Sequence, residues 1–285
     1  MNVLLLGARS WIGFRLCEAA HSICPEWTVV GTSRCRAAAP NGFLAASTAC
    51  EFSSLITERR PAVVVNLLRG EDEEGLKTHQ AVIHACARVN ALYCFTSSAL
   101  ALDSSESPDL TEDVPPSSGT PYGKFKQTCE EALAGSSDCR SLVLRFSSLQ
   151  GWSPHKPSRN EVFLRKISAG QNVIVDRGVW QNRMLDTEFA QAVIDLLRVQ
   201  ANGIVHLGAE DSSEEFEFLR RVAMAFGWEP SLVVPGRERQ VNLVTRPKRL
   251  FNLFGDRYRF TEQDTINGLL SCPQLSSFRN RAEAW

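Results

Sequence analysis

The chain has 285 residues, 44% of them hydrophobic and 22% charged, which is ordinary for a globular protein and suits one large or two unequal domains. A formal net charge of −1 gives no overall field for nucleic acid or an anionic membrane, and no uninterrupted apolar run is long enough to span a bilayer. Nine cysteines form no Cys-x-x-Cys pair, and His79 and His84 have no third ligand nearby, which argues against a metal site and for reduced thiols, so the expected location is cytoplasmic.

Asn2-Val3-Leu4-Leu5-Leu6 is a short apolar run of the kind found in a buried parallel strand, and too short for a signal-peptide core. It runs into Gly7-Ala8-Arg9-Ser10-Trp11-Ile12-Gly13, after which 14–20 reads as an amphipathic helix. Strand, glycine turn and helix in succession is the context in which a helix N-terminus receives a pyrophosphate. Gly7 allows the tight turn and Gly13 a close helix–strand approach, while Ser10 stands where a middle glycine is usual and offers a hydroxyl to a phosphate. The second strand is 27–32. An acid about 20 residues after such a turn holds the ribose 2′-hydroxyl in nicotinamide-binding sheets. This chain has Thr32-Ser33-Arg34 there, so no carboxylate repels a 2′-phosphate, and Arg9 and Arg34 are in reach of one; NADP(H) is preferred, with NAD(H) allowed. Arg34 equally fits a solvated loop cation.

A helix over 53–60 leads to a buried strand at 61–68, a helix over 71–89 follows, and 90–98 is a strand ending in Thr96-Ser97-Ser98. This alternation predicts a right-handed βαβ series in one doubly wound parallel sheet of α/β class, with ligands at the carboxyl ends of its strands near Gly7, Leu67 and Ser98. The stretch Thr120-Pro121-Tyr122-Gly123-Lys124-Phe125-Lys126 enters a helix, on which residues four apart share a face. The Lys126 ammonium then lies beside the Tyr122 phenol and favours its ionised form, bringing it toward proton exchange near neutral pH. Tyr-x-x-x-Lys taken alone fits a surface tyrosine that precedes a lysine just as well. Residues 139–146 form a further strand.

Beyond Gly151 the texture turns to short elements: helices at 161–169, 187–199, 213–226 and 261–271, and strands at 173–175, 203–207 and 231–234. The expected division is a dinucleotide-binding domain over 1–150, joined by 187–206, and a smaller domain over 151–285. A basic stretch between Arg237 and Arg259 is either a diphosphate clamp or a solvated face with ion pairs.

Gly7-x5-Gly13, Ser98 and Tyr122-x3-Lys126, in this order and spacing, resemble the extended short-chain dehydrogenase/reductase superfamily. Residues 110–126, 144–151 and 203–208, with the Arg246-Pro247 dipeptide, are most similar to its dTDP-4-dehydrorhamnose reductases. The resemblance implies a Rossmann sheet with a smaller C-terminal α/β substrate domain. It also implies NADP(H)-dependent reduction of a keto group on a dTDP-type 4-keto-6-deoxy sugar. Tyr122 then protonates the carbonyl oxygen, Lys126 lowers the tyrosine pKa and holds the nicotinamide ribose, and Ser98 hydrogen-bonds the reacting oxygen. Gly7, Arg9, Ser10, Trp11, Ile12, Gly13, Ser33, Arg34, Leu67, Leu68, Tyr122 and Lys126 are the implied cofactor contacts; Ser98, Ser148 and Arg183 are the implied substrate contacts. A nucleotide-sugar is the expected partner, with a homodimer allowed. Ser10 departs from the family pattern, as do Gln150, Trp152, Arg183, which lies near but not at the place of the family's diphosphate arginine, and the 75–79 segment, which lacks the asparagine that often completes the catalytic set. An epimerase and a non-catalytic cofactor-binding subunit remain the alternatives; Ala99-Leu100 after Ser98 argues against a dehydratase.

Overall fold

A computed structural model of the chain describes residues 1–33, 43–105, 107 and 109–279. Its strands are β1 (Asn2–Leu6), β2 (Thr28–Ser33), β3 (Phe43–Ala45), β4 (Val63–Asn66), β5 (Leu92–Thr96), β6 (Ser141–Phe146), β7 (Ser148–Gln150), β8 (Val173–Gln181), β9 (Arg183–Leu185), β10 (Gly203–Leu207), β11 (Ser213–Glu214) and β12 (Val233–Leu243). Its α-helices are α1 (Trp11–Ile23), α2 (Ala49–Arg59), α3 (Glu73–Val89), α4 (Pro121–Ala134), α5 (Arg159–Ser168), α6 (Asp186–Arg198), α7 (Glu215–Ala225), α8 (Lys248–Phe254) and α9 (Glu262–Ser271).

The predicted α/β class is borne out. Seven strands form one sheet in the order β10-β6-β5-β4-β1-β2-β3, and the pairs from β6 through to β3 are all parallel. Every residue of β4 and β5 is buried, the pattern of strands covered by helices on both faces. One face packs Phe52 and Ile56 of α2, Val82, Ile83 and Cys86 of α3, and Cys129 and Leu133 of α4 against Leu4, Leu6, Val64 and Phe95. On the other face Ala20 and Cys24 meet Ile194 of α6. Leu6 is in register with Asn66, and Asn66 with Phe95, so β1, β4 and β5 end level. The segments carrying Gly7, Leu67 and Ser98 therefore leave the sheet along one edge.

The chain divides into two compact units: Met1–Glu106, Asp113–Arg145 and Ala190–Val205 form the first, and Ser107–Glu112, Phe146–Phe189 and His206–Trp285 the second. The sequence reading puts the change near Gly151; the units change over between Arg145 and Phe146. The second unit holds a three-stranded sheet, β11-β8-β12, and a parallel pair, β7-β9. Its core joins Phe163, Leu164 and Ile167 of α5, Phe216, Phe218 and Val222 of α7, and Ile266 and Leu269 of α9. Two strands are longer than the sequence pattern predicts, because β8 and β12 pair over most of their length with two register shifts. No helix of the described residues is long and apolar enough to cross a membrane. Among those residues eight cysteines are free, and no cluster of metal-ligating side chains occurs.

Candidate active site

The turn after β1 has the geometry its glycines require. Gly7 lies at φ +81°, and a Cβ there would meet the Leu67 carbonyl at 3.2 Å. A Cβ on Gly13 would strike the Ala8 backbone, so α1 packs against the turn only because that position is bare. The Gly7 amide donates to Thr32 Oγ1 at 3.1 Å, which ties the turn to the end of β2. Ser10 caps α1: its amide donates to the Gly7 carbonyl at 2.9 Å, and its hydroxyl accepts from the Gly13 amide at 3.1 Å. The hydroxyl hydrogen of Ser10 stays available to donate. Trp11 and Ile12 begin the helix, half-buried, and Arg9 is exposed beside them. A bare turn at the N-terminus of a 13-residue helix, with a serine hydroxyl and an arginine at its rim, fits a dinucleotide pyrophosphate. Ser33 is buried at the end of β2, and Arg34 lies outside the described residues.

At the end of β4, Leu67 donates its amide to the Leu6 carbonyl at 2.9 Å, and Leu68 rests against Gly7. Asn66, just before them, belongs to a buried chain that sequence reasoning missed. Its side-chain amide donates to the Tyr93 hydroxyl at 2.6 Å, Tyr93 meets His79 Nδ1 at 2.9 Å, and His79 Nε2 meets the Cys129 carbonyl at 2.9 Å. A carbonyl only accepts, so Nε2 carries the hydrogen and Nδ1 accepts from Tyr93. The ring is therefore neutral, in keeping with burial, which lowers the His79 pKa to about 4. His79 stands in the 75–79 segment whose missing asparagine marks a departure from the family pattern. It joins α3 to the helix that bears Tyr122 and Lys126.

That helix is fixed at its start. Thr120 caps α4 through the Gly123 amide at 3.2 Å and donates to Asp103 Oδ2 at 2.9 Å, with Pro121 as its first residue. Any Cβ on Gly123 would collide with the Leu100 carbonyl and Ser118 Oγ. The first turn of α4 thus packs backbone to backbone on the short 3₁₀ turn Ala99–Leu102, and Ser98 is the N-cap of that turn, its hydroxyl accepting from the Leu100 amide at 3.2 Å. From the next turn of α4, Lys126 Nζ donates to the Thr96 carbonyl at 2.8 Å. These contacts bring the tip of β5 and the start of α4 together. The ammonium is also 4.6 Å from the centre of the Phe95 ring and 5.6 Å from that of Tyr122.

The charge states differ from the simplest sequence expectation. Burial raises the Tyr122 pKa above its ordinary value of 10; the Arg69 cation opposes that rise and Glu71 adds to it. Burial lowers the Lys126 pKa from 10.5 to about 8. The phenol is therefore fully protonated at neutral pH and can donate, with the Lys126 ammonium next to its ring.

In the second unit, Ser148 is buried and its hydroxyl accepts from Gln150 Nε2 at 2.8 Å. Arg183, in register with it across β7 and β9, is placed differently from the sequence expectation. The guanidinium is fully buried 4.2 Å from the Phe218 ring centre. It donates through Nη2 to Glu215 at 2.7 Å, and through Nη1 to Glu262 and to the Gln181 carbonyl at 3.1 Å. A diphosphate would have to displace two carboxylates from these nitrogens to make Arg183 the substrate contact that the resemblance implies. In the basic stretch, Arg239 pairs with Asp176, Arg246 and Lys248 with Asp109, and Arg259 with Glu210 and Asp256. These four cations fit the solvated face with ion pairs.

Comparisons with known proteins agree with this fold. No curated protein matches the chain by sequence. Solved structures share its fold at low identity. The dTDP-4-dehydrorhamnose reductase of Yersinia enterocolitica superposes with a TM-score of 0.78 at 14% identity, covering 93% of this chain and 97% of its own. That of Bacillus anthracis, solved in complex with NADP, gives 0.79 at 15% identity, with 95% and 98% covered. A UDP-glucose 4-epimerase of Thermus thermophilus, in complex with NAD, gives 0.78 at 21% identity, with 99% and 100% covered. The sequence model of the NAD dependent epimerase/dehydratase family matches residues 3–184, which include the glycine turn, Ser98, Tyr122 and Lys126. The chain belongs to the NAD dependent epimerase/dehydratase family, enzymes of the extended short-chain dehydrogenase/reductase type.

Proposed function

We propose that the protein reduces a keto group on a nucleotide-linked 4-keto-6-deoxy sugar of dTDP type, with NADP(H) as the preferred dinucleotide. The observation that carries the reading is the Lys126–Thr96 hydrogen bond of 2.8 Å, which fixes the lysine and the tip of β5 beside Tyr122. Dinucleotide bound at the glycine turn supplies the hydride. Tyr122, protonated at neutral pH, gives its proton to the carbonyl oxygen of the substrate. Lys126 stabilises the phenolate left behind and contributes a donor to the ribose. Ser98 gives a hydrogen bond to the same carbonyl oxygen as charge develops on it. Such proton transfer contributes about 10²–10⁴ in rate. The NADP preference is supported by the absence of a carboxylate at Thr32-Ser33-Arg34 and by the NADP complex of the Bacillus anthracis structure.

NADPH oxidation with a panel of dTDP- and UDP-linked keto-sugars, compared between the wild type and Tyr122→Phe, tests the proposal. Turnover that the substitution removes supports it. Interconversion of sugar epimers without net NADPH consumption identifies an epimerase instead. Tight dinucleotide binding with no turnover of any keto-sugar identifies a non-catalytic subunit.

A further inference from the structure

Thr96, Ser97 and Ser98 leave β5 as three consecutive residues, and each is held by a different partner. The Thr96 carbonyl accepts from Lys126, the Ser98 hydroxyl accepts from the Leu100 amide, and the Ser97 hydroxyl donates to Oε1 of Glu130. Glu130 lies one helical turn beyond Lys126 on α4, so the helix grips the strand tip at two successive points on one face. The carboxylate is buried and is itself held by Arg145 of β6, which is fully buried. Arg145 Nε donates to Oε1 at 3.2 Å and to Oε2 at 3.0 Å, and Nη2 donates to Oε2 at 2.6 Å. Arg145 Nη1 donates to the Val114 carbonyl at 3.0 Å, on the segment that leads into α4. The Ser97 amide also donates to the Leu144 carbonyl at 2.8 Å, next to Arg145 in β6.

A buried ion pair adds little net stability over an apolar pair of the same shape, because desolvation offsets the attraction. What this pair does supply is direction. Only an acceptor with two oxygens takes the Ser97 hydroxyl and the Arg145 fork at once, and its neighbours on either side are the residues of the reaction.

We infer that Glu130, held by Arg145, is a positioning residue: through Ser97 it sets the Ser98 hydroxyl, and through α4 it sets the Lys126 ammonium, for the reaction proposed above. The inference rests on that reading for Ser98 but not for Lys126. The charged and titratable groups around Lys126 are Glu130, Cys129 and Tyr122 on its own helix, Arg69 and Glu71 from the segment after β4, and His79 from α3. Burial lowers the Lys126 pKa, and Cys129, Glu130 and Glu71 oppose that fall; of these three Glu130 is the one ion-paired to Arg145.

Two measurements test the inference. In the protein without substrate, the titration of Lys126 is followed by the Cε resonance of ¹³C-labelled lysine. Glu130→Gln is expected to lower its midpoint relative to wild type and Ser97→Ala to leave it in place; an unmoved midpoint in a folded Glu130→Gln protein overturns the link to Lys126. In the turnover assay, Ser97→Ala is expected to lower kcat about tenfold or more, with KM for NADPH within about threefold, as for a group displaced by a fraction of an ångström. Ser97→Thr, which keeps the hydroxyl, is expected to restore most of the rate. Wild-type kcat in Ser97→Ala overturns the link to Ser98. Should Glu130→Gln not fold, the Ser97 variants decide the link to Ser98, and Glu130→Asp, which moves the carboxylate back by one methylene, is titrated for the link to Lys126, an unmoved midpoint overturning it. Should the wild type turn over no keto-sugar, the functional reading has failed, and the Lys126 titration still decides the role of Glu130.

Discussion

Replacing Lys126 with methionine should make the protein more stable while removing its activity. The ammonium is buried, and the fall of its pKa from 10.5 to about 8 expresses how poorly the folded state tolerates its charge. That fall corresponds to about 3 kcal/mol against the charged form at neutral pH. Methionine fills a similar volume without charge but leaves the Thr96 carbonyl without this donor, a loss of about 1–3 kcal/mol at a buried acceptor. The balance is a net stabilisation of about 0–2 kcal/mol, which raises Tm by up to about 8 °C in a chain of this size. The pH dependence has a definite sign. Between pH 8 and 10.5 the unfolded chain holds a proton on this lysine that the folded chain has released, so wild-type stability rises with pH relative to the variant. Thermal unfolding of both proteins by circular dichroism, from pH 7 to pH 10, reads the effect. The variant should lead at pH 7, and its lead should shrink as pH rises through about 8. A variant that melts below the wild type at pH 7, or a gap that does not change with pH, refutes the reasoning.

Wild-type kcat/KM should fall above pH about 8 as Lys126 releases its proton, and an alkaline limb that begins only above pH 10 would contradict that assignment. Gly13→Ala places a methyl against the Ala8 backbone, so NADPH binding measured by fluorescence should weaken and stability should drop by about 1–3 kcal/mol. His79→Ala leaves the Tyr93 hydroxyl without its acceptor and opens a void between α3 and α4, so denaturant unfolding should show a loss of about 2–4 kcal/mol. Arg183→Met takes the buried cation from Glu215 and Glu262, leaving Glu262 to Arg221 and Ser213, and should lower stability by about 1–3 kcal/mol. A large rise in KM for the nucleotide-sugar in a stable Arg183→Met protein would instead make Arg183 a substrate contact.

The first half of the sheet was legible because buried parallel strands are written as unbroken apolar runs: Val3 to Leu6, Val63 to Val65 and Leu92 to Phe95 need no partner to be recognised. The glycine turn was legible because Gly7 and Gly13 stand where no side chain fits. β3 was missed because three half-buried residues carry no periodicity. β12 was taken as a basic stretch in its middle because Arg237, Glu238, Arg239 and Gln240 lie on an exposed strand, where polar residues do not alternate with a core. The Tyr122–Lys126 pair followed from helical spacing, but the Thr96 carbonyl that holds Lys126 is 30 residues away in sequence and the Cys129 carbonyl that holds His79 is 50 away. The ion pairs of Arg183 were hidden for the same reason, since Glu262, which holds it, is 79 residues away. Residue type announces that a buried cation needs a partner; only the folded chain says which carboxylate provides it.

The most direct measurement follows the hydrogen itself. NADPH carrying deuterium at the nicotinamide C4 position is incubated with the protein and a dTDP-4-keto-6-deoxy sugar, and the sugar product is weighed by mass spectrometry. The account predicts a product one mass unit heavier from the wild type, formed about 10²–10⁴ times more slowly by Tyr122→Phe. Product without the label, or labelled product formed equally fast by Tyr122→Phe, would contradict the assignment of proton and hydride transfer to this site.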